Sequence, residues 1–143
     1  MKQNNKKSRI DYYETPYEVY LAIANKYTTL EELKEIFTFP DDAELDETLL
    51  QDSDGHNYQG VTASVKRKTD GRVFLLVKYI SESSVKVLDK LLDIINLADH
   101  EACHVLLDLY KTIGTDVDLD NQEHFAYEHV YITCLILKNW LNR

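Results

Sequence analysis

Apolar residues recur at helical spacing from Val85 to Ile113, a stretch too long for one straight rod in a domain of this size. Val85, Leu88, Leu91, Leu92 and Ile95 mark one face, and Ala102, Leu106, Leu109 and Ile113 continue it almost in phase to Gly114. About thirty helical residues would span about 45 Å, wider than the domain that 143 residues build. The pattern therefore predicts a kink or break near Asn96 to Asp99. After a short loop from Thr115 to Asp120, a final helix runs to the C-terminus, apolar nearly all round at Phe125, Val130, Ile132, Leu135, Ile136 and Trp140.

The period is two upstream of these helices. Val61, Ala63 and Val65 alternate with Thr62, Ser64 and Lys66, Thr69-Asp70-Gly71-Arg72 turns the chain, and Val73 to Ile80 returns as a nearly continuous apolar run. This is a β-hairpin over 58–81 with the second strand the more buried. Residues 1–12 are polar, basic and aperiodic, which reads as a flexible tail. Thr15-Pro16 has the form of a helix start, with Val19, Tyr20, Ile23 and Tyr27 on one face. Thr29 and Glu32 then have capping-box spacing before Leu30, Leu33, Ile36 and Phe37. Together these predict a helical hairpin over 13–39, ending at Pro40. Residues 40–57 carry seven acidic residues and little pattern, as an acidic loop does. The whole reads as a single α+β domain over 1–143, with its last two helices in 83–143.

Composition excludes several functions. With 25 acidic residues against 16 basic ones and a net charge of −9, the chain repels phosphate backbones and anionic lipid, so no nucleic-acid or membrane partner is expected. No apolar run is long enough to span a bilayer, and no apolar segment follows the charged Met1-Lys-Gln-Asn-Asn-Lys-Lys start. Cys103 and Cys134 sit inside helical patterns, which suits free, buried thiols in a reducing compartment and a cytoplasmic location.

The residues that carry chemistry are His100-Glu101-Ala102-Cys103-His104. On a helix, positions four apart differ by about 40° of rotation, so both imidazoles project from one face and can take two corners of a tetrahedral Zn2+ site. Glu101, beside them, stands where a general base for a metal-activated water belongs. A helical wheel puts His100, Glu101, His104, Asp108, Lys111 and Thr112 on one side, opposite Ala102, Leu106, Leu109, Tyr110 and Ile113. A third ligand must come from another element. The last helix begins with candidates: Glu123 is the first choice, and His124, Glu128 and His129 are its rivals. Asp108, one turn beyond His104, is placed to orient that imidazole. Tyr127, His129 and Tyr131 are candidate donors to a developing oxyanion.

These features resemble the gluzincin type of zinc metallopeptidase, and especially the minimal zincins, in which a small sheet precedes an H-E-x-x-H helix and a glutamate from the next helix completes the site. Asp99-His-Glu-Ala-Cys-His, Tyr110-Lys-Thr-Ile-Gly114 and Asp120-Asn-Gln-Glu-His-Phe-Ala-Tyr127 are also similar to segments of short H-E-x-x-H proteins encoded by bacteriophages of Bacteroidetes hosts. The resemblance covers residues 72–137. Where that group commonly has proline after the glutamate, this chain has His124. The resemblance implies a zincin-like fold and a small zinc-dependent hydrolase, a metallopeptidase acting in the cytoplasm of the phage's host or in the virion. It also implies a peptide substrate that pairs as an added strand along one of the hairpin strands. The alternative function is a non-catalytic phage accessory protein that keeps the fold and binds a host or virion protein. The apolar final helix suits either burial against the sheet or a dimer, so the oligomeric state stays open.

Overall fold

The computed structural model describes residues 7–40, 60–80, 90–116, 118, 120 and 122–141. Its elements are β1 (Ile10–Glu14), β2 (Tyr20–Ala24), α1 (Leu30–Ile36), β3 (Phe37–Thr38), β4 (Gly60–Arg67), β5 (Val73–Tyr79), α2 (Lys90–Ile113) and α3 (Gln122–Trp140). The strands form one mixed sheet in the order β1-β2-β5-β4-β3. Among the described strands only β2 and β5 run parallel, with Tyr20 opposite Phe74 and Ala24 opposite Lys78; the other pairs are antiparallel. The architecture is α+β, with α2 and α3 on one face of the sheet and α1 on the other.

Two cores follow from strand alternation. Leu21, Ile23, Leu75, Val77 and Tyr79 face α2 and α3, where they meet Ala98, Ala102, Leu106, Ile136 and Trp140. Ala22, Ala24, Val65, Phe74 and Leu76 face the other way and pack with Leu33 and Phe37. The central strands β2 and β5 are therefore apolar at both parities, as strands covered on both faces must be.

That double burial corrects the expectation of a helical hairpin over 13–39. Val19, Tyr20 and Ile23 were read as one helix face, yet they belong to an unbroken apolar run whose alternate residues enter opposite cores. A continuous run matches helical spacing as easily as strand spacing, and here the parallel partner β5 decides. Thr15-Pro16 opens the β1–β2 turn, closed by the Thr15 hydroxyl donating to the Val19 carbonyl, with Glu18 in the left-handed region at φ 55°. The second half holds over Leu30–Ile36, but Phe37, expected on the helix stripe, leaves it as β3, paired with Arg67 of β4. Thr29 caps α1 through a complete capping box, its hydroxyl accepting from Glu32 N at 3.2 Å and its own N–H donating to Glu32 Oε2 at 2.7 Å.

Nor is 7–12 a loose tail. Ile10–Glu14 pairs with β2, and buried Asn25 ties down what precedes it, donating to the Lys7 carbonyl at 3.0 Å and accepting from Arg9 N at 3.3 Å. Residues 1–6, and all but Pro40 of the acidic loop expected over 40–57, lie outside the described residues. The hairpin expected over 58–81 has that form across the described residues 60–80: β5 is buried almost throughout, and Gly71 (φ 70°) donates to the Arg67 carbonyl at 2.8 Å across the turn.

The break expected near Asn96 to Asp99 is absent. α2 is continuous over 24 residues, about 36 Å, with no proline or glycine inside it. Ala98 and Ala102, both fully buried, hold it in the core through the stretch where the break was expected. Gly114 (φ 70°) ends α2, and Thr115 N then donates back to the Tyr110 carbonyl at 3.0 Å. Cys103 and Cys134 are free but exposed, which corrects the expectation of buried thiols, because both lie on outward helix faces. Among the described residues no helix is long and apolar enough to cross a membrane.

Candidate metal centre

α2 lies over β4 and β5 and presents His100 and His104 on its exposed side. The two imidazoles converge, with Nε2 to Nε2 at 3.1 Å and ring centroids 4.7 Å apart at 77°. Two nitrogens bound to one tetrahedral zinc at about 2.05 Å stand about 3.3 Å from each other. The pair thus has nearly the bite that a shared metal ion requires.

Glu101 departs from the wheel. It is only 3% exposed, because one step of about 100° from His100 turns it off the wet face and toward β4. There Thr62 Oγ1 donates to Glu101 Oε2 at 2.6 Å. Gly60 lies against the same carboxylate: a Cβ at position 60 would stand 3.0 Å from Oε1 and 3.1 Å from Cγ, so any larger residue must push the Glu101 side chain back by a few tenths of an ångström. Thr62 and Gly60 were not singled out from the sequence. Their signal was the second parity of β4, Gly60-x-Thr62-x-Ser64, small and polar residues facing α2 while Val65 enters the opposite core.

The α3 candidates lie elsewhere. α3 packs on the flank of α2 that bears Asp99 and Tyr110: His129 Nε2 is 3.1 Å from the Asp99 carbonyl oxygen and 3.4 Å from Asp99 Oδ1, and Tyr110 OH donates to Glu128 Oε2 at 2.7 Å. Asp99 and Tyr110 are about 140° and about 120° round the axis from His104 and about 100° and about 80° from His100, so α3 packs to one side of the histidine face. Glu128 also holds His124 at 3.1 Å, and Phe125 stacks on His129. Glu123 is exposed in the first turn of α3, and Tyr127 and Tyr131 point outward, 74% and 63% exposed. Among the described residues no group of three or more His, Cys, Asp or Glu side chains is placed to hold a metal.

The length of α2 accounts for Glu123: in an antiparallel helix pair, residues equidistant from the turn lie side by side, and α2 continues nine residues past His104, carrying the first turn of α3 away from the histidines. Glu128 and His129 lie further along α3 but are engaged by Tyr110 and Asp99. Asp108 is half-buried one turn beyond His104. Burial pushes its carboxyl above the usual range, opposed by the charges of His104 and Lys111. A cavity of about 80 Å³ lies between the sheet, α2 and α3, walled by Leu21, Leu75, Val105, Leu109, Tyr131 and Ile132, and shares no lining with the histidine pair.

Comparisons of the chain with protein-family models, curated proteins and solved structures find no match.

Proposed function

We propose that this chain is a metal-dependent hydrolase of minimal zincin character, cleaving a peptide or protein substrate in the cytoplasm of a bacterial host. The observation that carries the reading is the convergence of His100 and His104 to 3.1 Å on an exposed helix face, with a buried carboxylate one residue away. His100 and His104 would hold the ion. When bound, zinc supplies a water acidic enough to be deprotonated near neutral pH. In the zincin likeness Glu101 would be the proton acceptor, which requires Oε1 to turn from Gly60 towards the histidine face while the Thr62 hydroxyl holds Oε2. The third ligand is Glu123 in the zincin likeness, which requires α3 to approach the histidine face more closely than it does here.

The sheet offers a place for substrate. β3 covers β4 only at Lys66 and Arg67, so the margin from Gly60 to Val65, beside Glu101, has no partner strand among the described residues. An extended peptide adding there would run past the histidine face.

A second reading, a non-catalytic accessory protein that binds a host or virion partner, is favoured by the exposed Tyr127 and Tyr131. One experiment separates the two. Under the hydrolase reading, elemental analysis of protein purified without chelator gives near-stoichiometric zinc that is lost in His104→Ala. Glu101→Gln keeps the metal and lowers peptide hydrolysis by about a hundredfold or more. No metal in the wild type after zinc is added back rejects the hydrolase, and metal without hydrolysis leaves the binding protein.

A further inference from the structure

We infer that the outward face of α3 is a homodimer interface, in which the helix pairs antiparallel with α3 of a second copy of this chain. It uses Glu123 where the structure places it, exposed on α3 and away from the histidine pair, so in the dimer Glu123 is not a metal ligand. Glu123, Tyr127, Val130, Tyr131, Cys134 and Lys138 are all exposed. At about 100° per residue they fall within about 100° of the helix circumference. Three of them are large and apolar or aromatic, 74%, 61% and 63% exposed at Tyr127, Val130 and Tyr131. Between Glu123 and Lys138 this stripe carries no acid or base.

The order of residues along the stripe identifies the occupant. The spacings run four, three, one, three, four, the same in both directions. A two-fold axis midway between Val130 and Tyr131 therefore brings Val130 against Tyr131 of the partner subunit and Tyr127 against Cys134 of the partner subunit. It also sets Glu123 against Lys138 of the partner subunit, at both ends. An isologous interface must be self-complementary in this way, apolar residue to apolar residue and acid to base. A net charge of −9 opposes association in general, but the face itself is neutral. One helix face is a small interface, so a weak dimer in exchange with monomer is expected.

Sedimentation velocity across about a hundredfold range of concentration reads the association directly. The wild type should pass from monomer to dimer. Lys138→Glu places acid against acid twice and should weaken dimerisation by about tenfold or more, and Glu123→Lys should do the same with two bases. The double variant Glu123→Lys, Lys138→Glu restores both pairs and should dimerise within about threefold of wild type. Register is tested by Tyr127→Cys in a Cys103→Ser background, which should form a covalent dimer with Cys134 of the partner subunit on mild oxidation. Unchanged thermal melts show that each variant is folded. A wild type that stays monomeric at every concentration overturns the proposal, as does a dimer indifferent to both single reversals or a double variant no better than either one.

Discussion

Lys78 is 5% exposed on β5, and its ammonium donates to the Asn25 carbonyl at 2.9 Å and to the Tyr79 carbonyl. Burial holds its pKa down to about 8, only partly offset by the charge of Glu32. The folded chain therefore binds fewer protons here than the unfolded chain between pH 8 and the ordinary lysine value. Stability consequently rises with pH across that window. Below it, the cost of burying the charge is fully present. Urea titrations should show wild type gaining on the order of 2 kcal/mol between about pH 8 and about pH 10.5 relative to Lys78→Met, whose profile lacks this component. Parallel profiles for the two proteins would show that the amine is not desolvated.

At the scale of elements, the seam between β4 and α2 is set by a glycine and a hydroxyl. Gly60→Ala pushes a methyl to within 3.0 Å of the buried Glu101 carboxylate, which the Thr62 hydroxyl already fixes, so strand and helix must part slightly. The expected cost is about 1–3 kcal/mol by chemical denaturation, with loss of any activity that depends on Glu101. A neutral substitution would mean that the helix does not rest on this strand. The same seam shows what the sequence makes legible. The 58–81 hairpin, the Thr29 cap, the α+β class and the helical register of His100 and His104 follow from local periods and caps, and local signals report local geometry. β2 was misread because its partner β5 is about fifty residues away, and only that pairing distinguishes a doubly buried strand from a helix. The continuity of α2 and the side of it that meets α3 are tertiary facts as well. They separate Glu123, His124, Glu128 and His129 from the histidine pair, whereas the histidines' own convergence follows from helical spacing alone.

Over the whole molecule, the C-terminal turn of α3 fastens the sheet's N-terminal strands. Asn139, fully buried, donates to Asp11 Oδ2 at 2.9 Å and to the Ile23 carbonyl at 3.0 Å; Trp140 donates to the Ala24 carbonyl at 3.3 Å and stacks on Tyr79. Asn139→Ala leaves a carboxylate and a carbonyl without this donor and should cost about 2–3 kcal/mol, measured as a lowered denaturation midpoint with an unchanged slope. A midpoint within error of wild type would show that the clamp is incidental.

The parallel pairing of β2 with β5 has a consequence in time. Neighbouring strands at the centre of the sheet are separated by about fifty residues, and Asn139 meets Asp11 across 128 positions, so the chain has a high contact order. Loop-closure entropy is spent before these contacts repay it, which places folding in the millisecond-to-second range of non-local topologies. On the ribosome the β4–β5 hairpin can form early. The apolar face of the sheet, however, stays uncovered until Trp140 has left the exit tunnel, and during that interval the nascent chain is most exposed to aggregation and to chaperones.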